Sequence, residues 1–255
     1  MGQLDGKVAI VTGASHSIGK AIAIGLARQG ASVVLAARGV NELQQTQASI
    51  SAFGGTAEVV PTDVTEEKQI DNLFVKTMER FGRLDILVNN AGLFYGAPID
   101  EMTTEGWDKL IATSLRGAFL CTRAAFRIMK KQGEGRIINI GSISAQRVRN
   151  NNAAYSAAKF GLTGLTQATA LEGRKFGINC GILHPGNVRR DSMPRDGMPP
   201  GRAPNEAARE TMTPEAMMMP DEIAEAAVYM ACLPNHINVL EMVQLPREQT
   251  FLGRG

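Results

Sequence analysis

The sequence predicts an α/β fold built as a doubly wound parallel sheet of about seven strands with helices on both faces. Three observations predict it. Short apolar runs alternate with longer amphipathic segments along the chain. Most of these runs are almost continuously hydrophobic, as strands covered on both faces of a parallel sheet must be. A glycine-rich turn joins the first run to the first helical pattern, the junction at which such folds bend sharply and bind ligands.

The first run, Val8–Val11, leads through Thr12-Gly13-Ala14-Ser15-His16-Ser17-Ile18-Gly19 into an amphipathic segment over 18–29. Ser32–Ala36 and Ala57–Val60 are the next strands, separated by a helix over 40–53. A helix over 65–81 follows, its start marked by Glu66 and Glu67, whose charges complement the N-terminal end of a helix dipole. Ile86–Val88, a long helix over 104–131, Arg136–Ile140, a helix over 152–176 and Ile178–Leu183 continue the alternation. Pro220-Asp221-Glu222 opens a helix over 220–232, with proline at an early position that tolerates it, and Val239–Leu245 is the last strand. Strand then helix, repeated throughout, reads as one Rossmann-like domain over 1–255. The exception is 187–219, rich in Pro, Gly and Met and weakly periodic, which reads as a lid over a substrate site.

Composition excludes several classes. A net charge of +2 with scattered basic residues gives no footprint for nucleic acid or for an anionic membrane surface. No apolar run approaches the roughly 18 residues of a membrane span, and the N-terminus lacks a secretory signal pattern. Cys121, Cys180 and Cys232 are far apart and form no metal-ligand spacing, so free thiols in the cytoplasm and no metal site are expected.

In the turn after the first strand, glycine lets a pyrophosphate approach a helix N-terminus, where unpaired N–H groups and the dipole favour anions. Tyr155 and Lys159 are one helical turn apart and share a face. A phenol can exchange a proton with a carbonyl oxygen, but its pKa of about 10 leaves little phenolate at neutral pH unless a cation lies close. Lys159 is placed to be that cation.

The order and spacing of Thr12-Gly13 to Gly19, Asn89-Asn90-Ala91-Gly92, Ser142 and Tyr155-Ser156-Ala157-Ala158-Lys159 resemble the short-chain dehydrogenase/reductase family, over Lys7 to Gly186. The resemblance implies an oxidoreductase that interconverts a ketone or aldehyde and an alcohol by hydride transfer, with Tyr155 as general acid/base. Ser142, thirteen residues before Tyr155, would hydrogen-bond the substrate oxygen, and Lys159 would also grip the nicotinamide ribose. Ser114 stands where the family usually has an asparagine that kinks its helix and whose main-chain carbonyl holds a relay water. By the same resemblance Gly13, Ser15, His16, Ser17, Ile18 and Gly19 hold the pyrophosphate end, Ser17 replacing a family glycine. Asp63 and Val64 meet the adenine, and Asn90, Ala91 and Gly92 pass beside its ribose. Asn89 and Asn90 have chiefly structural roles. Pro185, Gly186 and Val188 lie at the nicotinamide, where Arg190 replaces a usual threonine.

Ala37 sits where NAD-dependent members carry an aspartate, while Arg38 and His16 supply basic groups for a 2′-phosphate. NADP(H) is therefore the expected cofactor, with NAD(H) the alternative. The substrate, a small carbonyl or alcohol, is expected to meet Phe94, Ser144, Gln146 and Met193 in an adaptable wall that includes Tyr95 and other methionines of the lid. Arg147 and Arg149 read as a solvated rim or as contacts for an anionic substrate. The C-terminus lacks the D-G-G segment common in the family's acyl-carrier-protein reductases. The resemblance also implies a homotetramer or homodimer packed through the helices near 104–131 and 152–176. Against the enzyme stands a catalytically weak nucleotide sensor or scaffold on the same fold, favoured by Ser17, Ser114 and Arg190.

Overall fold

A computed structural model of the chain describes residues 2–189, 216–249 and 251. Seven strands form one parallel sheet in the order β3-β2-β1-β4-β5-β6-β7: β1 Val8–Thr12, β2 Ser32–Ala37, β3 Ala57–Pro61, β4 Ile86–Asn89, β5 Gly135–Ile140, β6 Ile178–Pro185 and β7 Glu241–Gln244. From β1 the chain winds outward to β3, then returns to place β4 on the other side of β1. The gap between the β1 and β4 ends is thus the switch point at which such sheets open a crevice. Val11 lies opposite Leu35 on one side and Val88 on the other.

Each strand feeds both layers because successive side chains point to opposite faces. Ala9 and Val11 join the layer of α1 (Ser17–Arg28), α2 (Val40–Ser51) and α7 (Pro220–Cys232), whose Leu26, Leu43 and Ile223 are buried there. Ile10 joins the layer of α3 (Glu67–Phe81) and α5 (Gly117–Gln132), with Leu73, Leu120 and Met129. Each of those large side chains contributes about 1.5–3 kcal/mol by its removal from water. α7 starts as its sequence suggests, with proline in the first turn and the Glu222 carboxylate accepting from Met219 N at 2.6 Å.

Two elements depart from expectation. The last strand is shorter, and its burial alternates instead of being continuous, because it is an edge paired only with β6. The helix over 104–131 is three pieces: α4 (Thr104–Ile111), a π-helical turn Ala112–Arg116, and α5. Within that turn Gly117 N reaches back to Ala112 O, one residue farther than an α-helix allows.

The 187–219 segment is closed at its base by a parallel bridge between Val188 and Met218. Arg189 N donates to Met218 O at 2.8 Å and Met218 N to Asn187 O at 2.9 Å. Met218 is buried in the core beside Ile223, whereas Met219 is exposed. The rest of the expected lid, 190–215, lies outside the described residues, and Met193 and Arg190 with it.

Candidate active site

The turn after β1 is shaped by two close approaches. Gly13 has φ +67°, and a Cβ there would sit 2.7 Å from Asn90 Nδ2. A Cβ on Gly19 would sit 2.2 Å from Gly13 O. Thr12, fully buried, ties this turn to the end of β4: its Oγ1 accepts from Asn90 N at 3.0 Å and Ala91 N at 3.1 Å. Asn90 Nδ2 returns the link by donating to Thr12 O at 2.9 Å. Asn89 instead reaches into the sheet, donating to Thr122 Oγ1 and Asn139 Oδ1, both at 2.9 Å.

The turn delivers α1 with its N-terminus facing the crevice and no acidic residue in the first turn. The leading N–H groups of a helix have no partner within it, so this end attracts an anion. Ser17, the first helical residue, has φ +49°, a left-handed conformation that a side chain makes unfavourable.

A cleft of about 490 Å³ opens here. Gly13, Ser15, His16, Ser17, Ile18 and Gly19 line one wall, and Arg38, Asp63, Val64, Asn90, Ala91 and Gly92 the rest. Ser15 Oγ lies 2.8 Å from His16 Nδ1. The Asp63 carboxylate is braced by Thr65, whose N and Oγ1 donate to Oδ1 at 2.9 and 2.8 Å. Five residues of this cleft, Ser17, Ile18, Asn90, Gly92 and Leu93, also line a second cavity of about 170 Å³. The two spaces therefore adjoin across these residues. Ser142, Tyr155, Lys159, Phe94, Pro185, Gly186 and Val188 enclose the second one.

Tyr155 and Lys159 project from α6 (Ala153–Gly173). Lys159 is buried, and Nζ donates to Ile140 O at 2.8 Å and lies 5.7 Å from the centroid of the Tyr155 ring. Loss of water around the ammonium lowers its pKa from 10.5 to about 8. Phe94 meets the Tyr155 ring edge-on, with centroids 5.0 Å apart. Ser142 caps a short 3₁₀ turn, Ile143–Ala145, its Oγ accepting from Ser144 N at 3.2 Å. With one lone pair so engaged, the hydroxyl proton is available to an oxygen in the cavity.

Other expected residues fall elsewhere. Ser114 lies within the π turn behind the cavity, fully buried, its Oγ accepting from Leu93 N at 3.0 Å. A Cβ on Gly92 would be 3.5 Å from that oxygen and 4.0 Å from Lys159 Nζ, which puts Ser114 and Lys159 around one spot. Ser144 is buried, and its contact with the site is the backbone N–H given to Ser142. Gln146 does not line the cavity; its amide donates to Glu241 on β7. Met193 lies outside the described residues.

Sequence reasoning passed over Thr12 and Glu42. Thr12 stood inside the motif but acts through backbone partners. Glu42, in the first turn of α2, lines the cleft beside Arg38, its Oε2 2.3 Å from where a Cβ on Gly39 would be. Its spacing from Arg38 was the available signal.

Comparison with known proteins places the chain in a family. Residues 7–196 match the family model described as short chain dehydrogenase. The short chain dehydrogenase/reductase astE of Aspergillus oryzae is 40% identical over 235 residues, covering 89% of this chain and 88% of that protein. An uncharacterized oxidoreductase of Staphylococcus aureus is 34% identical, covering 95% of this chain and 98% of its own. The crystal structure of a metagenomic short-chain oxidoreductase in complex with NADP superimposes with a TM-score of 0.81 at 32% identity, over 97% of this chain and 100% of that one. A dehydrogenase/reductase from Sinorhizobium meliloti gives 0.81 at 34% identity, over 94% of each chain.

Proposed function

This chain belongs to the short-chain dehydrogenase/reductase family, and on that premise we propose that it is an NADP(H)-dependent enzyme interconverting a ketone or aldehyde with its alcohol. The observation that carries the reading is the cavity bounded by Ser142, Tyr155 and Lys159, adjoining a cleft that Arg38 lines. A dinucleotide fits the residues present: Gly13 and Gly19 let the turn pack tightly on itself and on Asn90, and the start of α1, with no acidic residue in its first turn, lines the cleft. Bound there, the nicotinamide would supply a hydride to the carbonyl carbon, or accept one from the alcohol.

The chain's own groups handle the oxygen. Ser142 donates its hydroxyl proton in a hydrogen bond to the substrate oxygen and steadies the developing charge. Tyr155 transfers its proton to that oxygen in reduction and takes it back in oxidation. Lys159 stabilises the resulting phenolate; an ammonium has three donors, one of them held by Ile140 O. Ser114 supports this arrangement by fixing Leu93 N. A main-chain carbonyl freed by the longer spacing of the π turn would accept a hydrogen bond from a relay water to Lys159.

Arg38 and His16, on the cleft wall with no acid at position 37, favour a 2′-phosphate, and a structural relative holds NADP. Glu42 opposes them. Phe94 sets one apolar wall for the substrate, with the 187–219 segment as lid over a single domain spanning 1–255. Exposed Trp107, Phe119, Phe160 and Leu171 on α4, α5 and α6 support a homo-oligomer packed through these helices. No helix among the described residues is long and apolar enough to cross a membrane, and the free thiols, with Cys121 and Cys180 pushed up to about 12 by burial, suit the cytoplasm.

A second reading, a nucleotide sensor of weak activity, is favoured by the left-handed Ser17 at the phosphate turn. The test that separates the two is NADPH oxidation with a panel of ketones and aldehydes. Wild type is expected to turn over, and Tyr155→Phe to lose at least about a hundredfold in kcat, the range of general acid/base contributions, while binding NADPH as tightly. Unchanged turnover in that variant refutes the role of Tyr155.

A further inference from the structure

Two turns supply the cleft residues that a 2′-phosphate would meet. Ser15 and His16 follow β1, while Arg38, Gly39 and Glu42 follow β2. A buried hydroxyl joins these two turns. Thr46, in the second turn of α2, is fully buried. Its Oγ1 lies 3.1 Å from Ala14 O and 3.1 Å from Glu42 O.

A threonine inside a helix ordinarily returns its proton to the carbonyl four residues back, here that of Glu42. The Ala14 carbonyl is the unusual partner, 32 residues away along the chain. A hydroxyl has one proton, so the two acceptors share it. One atom thus sets the distance between the turn after β1 and the first turn of α2. Ala14 is itself fully buried, which makes an unmet carbonyl there costly.

The base of the first turn has other anchors. Gly13 N and Ala14 N donate to Ala36 O at 2.7 and 3.3 Å, and Thr12 and Asn90 tie the turn to the end of β4. The Ala14 carbonyl belongs to the next peptide plane, the one that starts Ser15, and such a plane turns as a unit. Holding that oxygen therefore sets the direction in which Ser15 and His16 leave the turn. His16 is exposed, with Nδ1 2.8 Å from Ser15 Oγ. On the α2 side the Glu42 carboxylate is folded against Gly39, next to Arg38.

We propose that Thr46 is a positioning residue for recognition of the 2′-phosphate: its hydroxyl sets the spacing of His16 from Arg38 and Glu42, and with it the preference for NADPH over NADH. This role rests on the NADP(H) reading. Because the turn is anchored at its base through Thr12, Asn90 and Ala36, loss of the hydroxyl falls on the one group by which the two nucleotides differ.

The test titrates NADPH and NADH into the full chain, with binding read from nicotinamide fluorescence. Thr46→Val keeps the branched shape and removes the hydroxyl. It is expected to weaken NADPH binding about 3- to 10-fold, part of what loss of a charge-assisted hydrogen bond costs, with NADH affinity kept within about twofold. Thr46→Ser keeps the hydroxyl and is expected to keep the wild-type NADPH/NADH ratio. Thr46→Ala is expected to move the ratio in the same direction as Thr46→Val, and it serves if the valine variant does not fold. An unmoved ratio in the folded variants overturns the proposal, and so does a Thr46→Ser variant that behaves as Thr46→Val. Equal fractional loss of both nucleotides also overturns it, because that marks general loosening of the turn. A wild type that binds NADH as tightly as NADPH refutes the NADP(H) reading and this proposal with it, whereas a wild type that prefers NADPH and keeps its ratio without the hydroxyl refutes the proposal alone.

Discussion

Replacing Lys159 by methionine keeps the length of the side chain and removes its charge, and the consequence for stability can be worked out. Burial lowers the ammonium pKa from 10.5 to about 8, a difference equivalent to about 3 kcal/mol at about 1.4 kcal/mol per pH unit. Between those two values the unfolded chain holds a proton that the folded chain has released. Stability therefore rises with pH across the window from about 8 to about 10.5. Below about 8 both states are protonated and the full penalty for burying the cation is present. Urea unfolding of the nucleotide-free protein at a series of pH values, taken as wild type minus Lys159→Met, cancels the other titrating groups. That difference is expected to be flat near pH 7 and to climb at up to about 1.4 kcal/mol per pH unit above pH 8. A difference constant to about 0.5 kcal/mol from pH 7 to 10, against the roughly 3 kcal/mol expected, would refute the claim that Lys159 is held as an under-solvated cation. That state matters for the reaction, because such an ammonium gains most when a phenolate forms beside it.

The cleft gives further expectations. Ser17→Gly removes a left-handed side chain, worth about 1–2 kcal/mol, against a backbone entropy cost of about 0.5–1 kcal/mol. A rise in melting temperature of about 2 °C is expected by calorimetry, and a fall would show that the strain is worth less than the contact Ser17 makes. Arg38→Ala is expected to weaken NADPH binding about 10- to 100-fold, as loss of a charge-assisted hydrogen bond does, while NADH affinity stays within about twofold; an unmoved NADPH/NADH ratio removes Arg38 from the 2′-phosphate. Glu42→Gln, titrated in the same way, is expected to tighten NADPH a few-fold by removing a like charge from the cleft that Arg38 lines.

Much of this was legible in the sequence. All seven strands fall within two residues of their apolar runs, six of them because both-face burial writes a continuous hydrophobic signal. The seventh run starts two residues early because Val239 packs on the core and Leu240 O accepts from Ile182 N, although the strand itself covers 241–244 and its edge is half solvated. The break at 112–116 is not marked in the apolar pattern and shows only through Ser114, which stands where the family has its helix-kinking asparagine. Gln146 read as substrate wall for a similar reason. Its partner Glu241 is 95 residues away, and only the pairing of β6 with β7 brings them together.

The most direct test follows the hydrogen itself. NADPH carrying deuterium on the transferable position of the nicotinamide is incubated with a ketone that wild type reduces, and the alcohol is read by mass spectrometry. One deuterium at the carbinol carbon is expected with wild type, and almost none with Tyr155→Phe at the same nucleotide occupancy. Nucleotide bound at full occupancy by wild type, with no deuterium transferred to any carbonyl in the panel, would contradict it and leave a binding protein on this fold.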